Sequence, residues 1–507
     1  MVRDPTTLSL SRLSAALDAG ATTAARVVDA FLARIAAHDQ GGAGINAMTA
    51  LLPDARDRAL RLDRERAAGF VRGPLHGIPI VVKDNIDVLG LPTTAGCAAL
   101  THHRPARDAE VVRRLRDAGA IVLGKANMSE LACSNGRYGY SSLGGLTLNP
   151  WNLARNAAGS SSGSAAAVAA GFAAAALGTD SFGSVRAPAC VTGLAGLRPT
   201  QGLVPVDGVL PLALSFDTVG PMARCVRDAA LLLGVLAGAA SVTDGAVYTD
   251  ALRAGSAAAR GTRIGVLVDY PGQDDEVRAI MQDAQALLRG LGATLVPLTL
   301  PAPPSVPAAS ESAYLRTIYP ELLAPLAEAE WPAQLDAYLA AGIGGGPRDM
   351  AQLLAAAETW SAARPDREVN PRTLAGMRRA LEQARTRTAA RRAQDEAALA
   401  GYRAAIVQSC HDDNLAAMIF PTLSCPASPR YDRQDPGYVA YPGNAYAGLY
   451  IASAAGLPEI SVPAGMARAG VPVGISFMGA PHDEARLLAL AHAFEQAREP
   501  IVFPTLD

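Results

Sequence analysis

Aromatic residues are scarce in this chain: Phe, Trp and Tyr make up 5% of its 507 residues, which gives no clear pocket for a large aryl group. Cysteine is equally thin. The six cysteines (Cys97, Cys133, Cys190, Cys225, Cys410, Cys425) form no C-x-x-C pair, a spacing that fits neither a zinc site nor a disulfide framework. No sign of charge dominates, since 45 Lys and Arg stand against 47 Asp and Glu for a formal net charge of −2. Without a broad basic field, no nucleic-acid partner is expected. The basic run from Arg378 to Arg392 is interleaved with Glu382 and followed by Asp395 and Glu396, as on a solvated helix face. No strongly apolar span reaches the roughly 20 residues that cross a bilayer, and the start M-V-R-D-P-T-T-L-S-L-S-R lacks a signal-peptide core. The expectation is a cytoplasmic protein, monomer or homodimer, with no membrane partner, no metal and no cofactor.

What is present is an α/β pattern. Val28, Phe31, Leu32 and Ile35 recur at helical spacing behind Thr22 and Thr23, which can cap a helix, and residues 1–70 read as N-terminal helices. From there short β-branched runs alternate with helices. Strands are expected at Ile78–Val82, Ala120–Leu123, Ile264–Val268, Thr294–Leu298, Ala417–Phe420, Glu459–Val462 and Val473–Phe477. Gly119 stands where a helix C-terminal glycine belongs. These elements predict a single α/β domain with a central mixed sheet flanked by helices. Its parts are a core over 71–300, a helical insertion over 305–415 that caps the cleft, and a return to the sheet over 416–507. The proline-rich Pro301–Pro307 opens that insertion.

The chemistry concentrates between Arg155 and Pro188. There R-N-A-A-G-S-S-S-G-S-A-A-A-V-A-A-G leads through an alanine run to G-T-D-S-F-G-S-V-R-A-P. One or two serines before a helix are ordinary caps; Ser160, Ser161, Ser162 and Ser164 beside two glycines exceed that need. The polar turn around Ser184 can aim successive backbone N–H groups at one point, as an oxyanion requires. Lys83 ends the apolar run I-P-I-V-V-K. Burial there lowers an amine's pKa and leaves a neutral general base. Gly159–Gly163 satisfies G-x-S-x-G, but no strand precedes it as a hydrolase elbow demands. The seven histidines occupy no triad context, and no G-K-[ST] follows the glycines.

These strings resemble the amidase signature family, and the likeness runs through G-P-L-H-G-I-P-I-V-V-K-D-N, L-G-K-A-N-M-S-E, S-F-D-T-V-G-P-M-A-R, A-G-L-P-E-I-S-V-P-A-G and P-V-G-I-S-F-M-G. The resemblance implies Lys83 as catalytic lysine, Ser160 as the serine with a cis peptide bond, and Ser184 as the acylated nucleophile. It implies an oxyanion hole from the N–H groups of Ser181, Phe182, Gly183 and Ser184. Asp180 and Arg186 would brace that turn, and Ser134 and Asn135 would contact substrate. Phe182 departs from the glycine usual at its position, as do Ala158 and Ser162.

The implied activity is hydrolysis of a linear carboxamide, with esters and carbamates (urethanes) as further small-molecule substrates. The alternative is an A-type amidotransferase subunit working on aminoacyl-tRNA in a multi-chain complex. A catalytically silent binding protein is disfavoured by the presence of the lysine and both serines.

Overall fold

Ile80, Val81 and Val82 are inaccessible on both faces, the signature of an interior parallel strand. The computed structural model describes residues 2, 4–238, 245–301, 317–436, 438 and 443–506. Within them eleven strands form one sheet. In chain order they are β1 (Met48–Leu51), β2 (Pro79–Lys83), β3 (Ile121–Ala126), β4 (Ala175–Asp180), β5 (Ala195–Arg198), β6 (Thr218–Ala223), β7 (Arg263–Leu267), β8 (Thr294–Leu298), β9 (Ala417–Pro421), β10 (Glu459–Met466) and β11 (Pro472–Met478). Their order across the sheet is β1-β3-β2-β4-β6-β5-β10-β11-β9-β7-β8. Pairing is mixed: β2 runs parallel to β3 and β4, whereas β4–β6, β5–β10 and β10–β11 are antiparallel. Helices cover the sheet, and the expected α/β class is the observed one.

Two sequence expectations need correcting. Residues 1–70 are not helical throughout, because Met48–Leu51 pairs with β3 at the sheet edge. Four strands (β1, β4, β5 and β6) carried no recognised signal; β4 is alanine-rich and β6 contains Gly220-Pro221. Other details agree. Thr23 Oγ1 accepts from Arg26 N at 3.3 Å and caps Ala24–His38, and Gly119 takes φ +86 just past Glu110–Asp117. From 317 to 412 the described elements are all helical; the expected start of that insertion, at 305 after Pro301–Pro307, lies outside the described residues.

The helix Ser162–Ala169 is buried along its whole length and packs against β2, β3 and β4. Its small side chains permit that depth. Gly163 is the tightest point: a Cβ there would stand 2.3 Å from the Asn127 carbonyl oxygen and 2.5 Å from that of Ala47. Gly→Ala inside a helix ordinarily gains about 1 kcal/mol. Gly163→Ala is expected to invert that sign and cost about 1–3 kcal/mol through overpacking. Denaturant melts check this, and a raised midpoint would contradict it.

Candidate active site

β2 and β4 run parallel and side by side, so their carboxyl ends arrive together. Lys83 ends β2 and Thr179-Asp180 end β4. The Lys83 side chain is fully buried, with Nζ 2.8 Å from Ser160 Oγ, 2.7 Å from Thr179 Oγ1 and 3.3 Å from the Thr179 carbonyl oxygen. Burial brings its pKa down from 10.5 to about 7, against the opposing pull of Asp180 and Asp217. A neutral amine has two hydrogens and one lone pair. Thr179 offers two acceptors, which leaves the lone pair for the Ser160 hydroxyl.

Ser160 follows a cis Gly159–Ser160 peptide bond and is inaccessible to solvent. Its carbonyl accepts from Ser129 N at 3.0 Å, and the next amide, Ser161 N, donates to the Ser184 carbonyl at 3.1 Å, joining the two serine turns. The remaining serines are structural. Ser161 Oγ lies 3.2 Å from the Thr179 carbonyl oxygen, and Ser164 Oγ donates to the Leu177 carbonyl at 2.9 Å, so both tie the helix to β4. Ser184 is half-buried and opens onto a cleft of about 300 Å³.

The turn holding Ser184 is set by charge. Asp180, Arg186, Arg198 and Glu459 are all 0% exposed. Arg186 Nη2 and Nε reach Asp180 at 2.9 and 3.0 Å, and Nη1 pairs with Glu459 and donates to the Leu449 carbonyl at 2.9 Å. Arg198 Nη1 donates to the Asp180 carbonyl at 2.6 Å. Although burial opposes it, the two guanidinium groups hold the Asp180 carboxyl far below the usual range. Asp180 also accepts from Gly183 N at 2.8 Å and Val185 N at 3.0 Å. This corrects one expectation: the Gly183 amide is already committed to Asp180. Among the described residues no hydrogen bond engages the N–H of Ser181, Phe182 or Ser184.

Ser134 and Asn135 both line the cleft. Ser134 Oγ donates to Ser129 Oγ at 3.0 Å, and Asn135 Nδ2 reaches Thr373 Oγ1 of the helical segment at 3.2 Å. A second correction concerns aromatic residues. Tyr138, Phe182, Tyr319, Trp331, Tyr446 and Tyr450 all line this cleft, so the low total misrepresented the local density. Sequence reasoning also missed Thr179, Arg198, Asp217 and Glu459. The string S-F-D-T-V-G-P carries Asp217, which accepts from Ser181 Oγ and from the amides of Leu212 and Ala213. Among the described residues no group of three His, Cys, Asp or Glu side chains is placed to hold a metal, and no helix is long and apolar enough to cross a membrane.

The Amidase family pattern matches residues 26–488. The chain belongs to the amidase signature family. It is similar to the A-type subunit of glutamyl-tRNA(Gln) amidotransferase from Symbiobacterium thermophilum, 44% identical over 301 residues, a match spanning 58% of this chain and 61% of that protein. The protein of the same name from Halorhodospira halophila is 36% identical over 499 residues, 97% of each chain. Among solved structures, the peptide amidase of Stenotrophomonas maltophilia superposes with a TM-score of 0.83 at 35% identity, covering 98% of this chain and 99% of that one. An amidase-signature hydrolase is thus the enzyme class. These relatives overturn the expectation of no nucleic-acid partner, since the curated proteins are named for an enzyme of tRNA. A net charge averages over the whole surface and does not by itself exclude a nucleic-acid partner.

The buried amine is expected to make the stability of this amidase-signature chain depend on pH. A lysine whose folded pKa is lowered burdens the fold while the unfolded chain keeps the proton. That burden is full at pH 7 and below, at about 5 kcal/mol, and fades as pH rises towards 10.5. Lys83→Met is therefore expected to raise Tm more at pH 7 than at pH 10. Equal shifts at the two pH values would show that the amine is not depressed.

Proposed function

We propose that the chain cleaves the C–N bond of a linear carboxamide by acyl transfer to Ser184. The observation that carries this reading is the fully buried Lys83 amine, its pKa brought down to about 7 by burial and its Nζ 2.8 Å from Ser160 Oγ. Ser184 Oγ attacks the carbonyl carbon and passes its proton to Ser160, whose own proton goes to Lys83 Nζ. The N–H groups of Phe182 and Ser184 receive the oxyanion, each such donor worth about 10²–10³ in rate. As the C–N bond breaks, the proton returns through Ser160 to the leaving nitrogen. Water then repeats the attack on the Ser184 ester and frees the carboxylate. Esters and urethanes present the same carbonyl to the same groups. In this reading the helices from 317 to 412 form a cap, since Tyr319, Trp331 and Arg379 line the same cleft as Ser184.

Two settings suit this chemistry. The curated relatives back an A-type amidotransferase subunit, releasing ammonia from an amide donor inside a multi-chain complex, better than the free hydrolase that the sequence put first. The second reading, a stand-alone amidase, keeps the support of the nearly full-length likeness to the peptide amidase. Purified alone, an amidotransferase subunit is expected to hydrolyse simple amides poorly and to restore glutamine-dependent amidation of glutamyl-tRNA when mixed with its partner chains. Full turnover by the lone chain, with no such restoration, decides for the free hydrolase.

The chemistry is tested apart from the setting. Ser184→Ala is expected to lower kcat by about 10³-fold or more, and wild-type rates would refute the acyl-enzyme. Because the amine must be neutral, kcat/KM should rise with pH through a midpoint near 7. A profile flat from pH 5 to 9 would remove Lys83 as the base.

A further inference from the structure

We infer that the cleft selects an uncharged amide carrying an aryl group one atom away from the scissile carbonyl. This rests on acyl transfer at Ser184 by the chain as a free hydrolase, the second of the two settings, and goes on to name the substrate class. Phe182 stands two residues before the nucleophile and meets Tyr319 edge-on at 5.4 Å between ring centroids. Tyr319 meets Tyr450 at 5.2 Å, and Tyr138, also in the lining, stacks on Tyr446 at 5.4 Å with 10° between planes. These separations are those of favourable ring pairs. Their ring faces are not all consumed by packing, because Tyr319 keeps 39% of its surface exposed although it sits on the cleft wall.

The charges point the same way. Glu328 and Arg379 are the charged residues of the lining, and they face each other at 3.6 Å. Glu328 also accepts from Gln383 Nε2 at 2.7 Å. The described lining offers a charged substrate group no unpaired counter-charge, whereas a neutral group leaves the pairing intact. The cleft volume of about 300 Å³ lies at the small end of ligand pockets, which run from about 300 to 1,000 Å³. One ring plus the amide suits that space.

The test compares kcat/KM for acetanilide (aryl on nitrogen), phenylacetamide (aryl on the acyl side), hexanamide and free glutamine, alongside labelling of Ser184 by a fluorophosphonate. At least one aryl amide is expected to exceed hexanamide by about tenfold or more, and Tyr319→Ala to cut that aryl-to-alkyl ratio by about tenfold. Tyr450→Leu, a milder change, is expected to move the ratio in the same direction. A labelled protein that prefers hexanamide or glutamine, or whose ratio is unmoved in both variants, overturns the inference alone. An unlabelled protein that turns over none of the four amides overturns acyl transfer at Ser184, and the inference with it.

Discussion

Four buried charges hold this candidate active site in shape. Asp180 ends β4, Arg186 begins the helix after the nucleophile, Arg198 ends β5 and Glu459 begins β10. A lone buried charge costs several kcal/mol, and even paired ones repay their desolvation only with good geometry. Here two carboxylates face two guanidinium groups, and backbone groups of the turn fill much of what remains. The network thus fixes a backbone, that of residues 181–184, rather than adding stability for its own sake. It also explains the engaged Gly183 amide: the same carboxylate that anchors Arg186 folds the loop so that neighbouring amides stay open.

The second constraint is topological. Parallel neighbours deliver their carboxyl ends to one place, so Lys83 and Thr179 meet without a loop having to reach. Loss of solvation then does the chemical tuning, since burial is the largest influence on the Lys83 amine and the nearby carboxylates only moderate it. Scaffold and amine are one feature: the packing that buries the strand end also lowers the pKa of its lysine.

How much of this the sequence disclosed depended on contiguity. Ile78–Val82 and Val473–Phe477 were legible because β-branched runs bounded by Gly or Pro have few other readings. Ala175–Asp180 was not, because alanine favours helix and only tertiary pairing on both sides makes it a strand. Thr218–Ala223 hid behind Pro221, a residue that ordinarily speaks against an interior strand. In the site, Lys83, Ser160 and Ser184 stood in recognisable strings, whereas Arg198 and Glu459 join the cluster only through the fold. The aromatic cleft was invisible for a further reason. Its rings come from four distant segments, and composition averages them away.

The sheet order carries a consequence for biosynthesis. β10 and β11, formed near the end of the chain, lie between β5 and β9 in the middle of the sheet rather than at its edge. A nascent chain emerging from the ribosome carries Lys83 and both serines long before Glu459 exists to complete the buried charge cluster. The turn around Ser184 therefore gains its full set of charge partners only after Glu459 has been added to the chain.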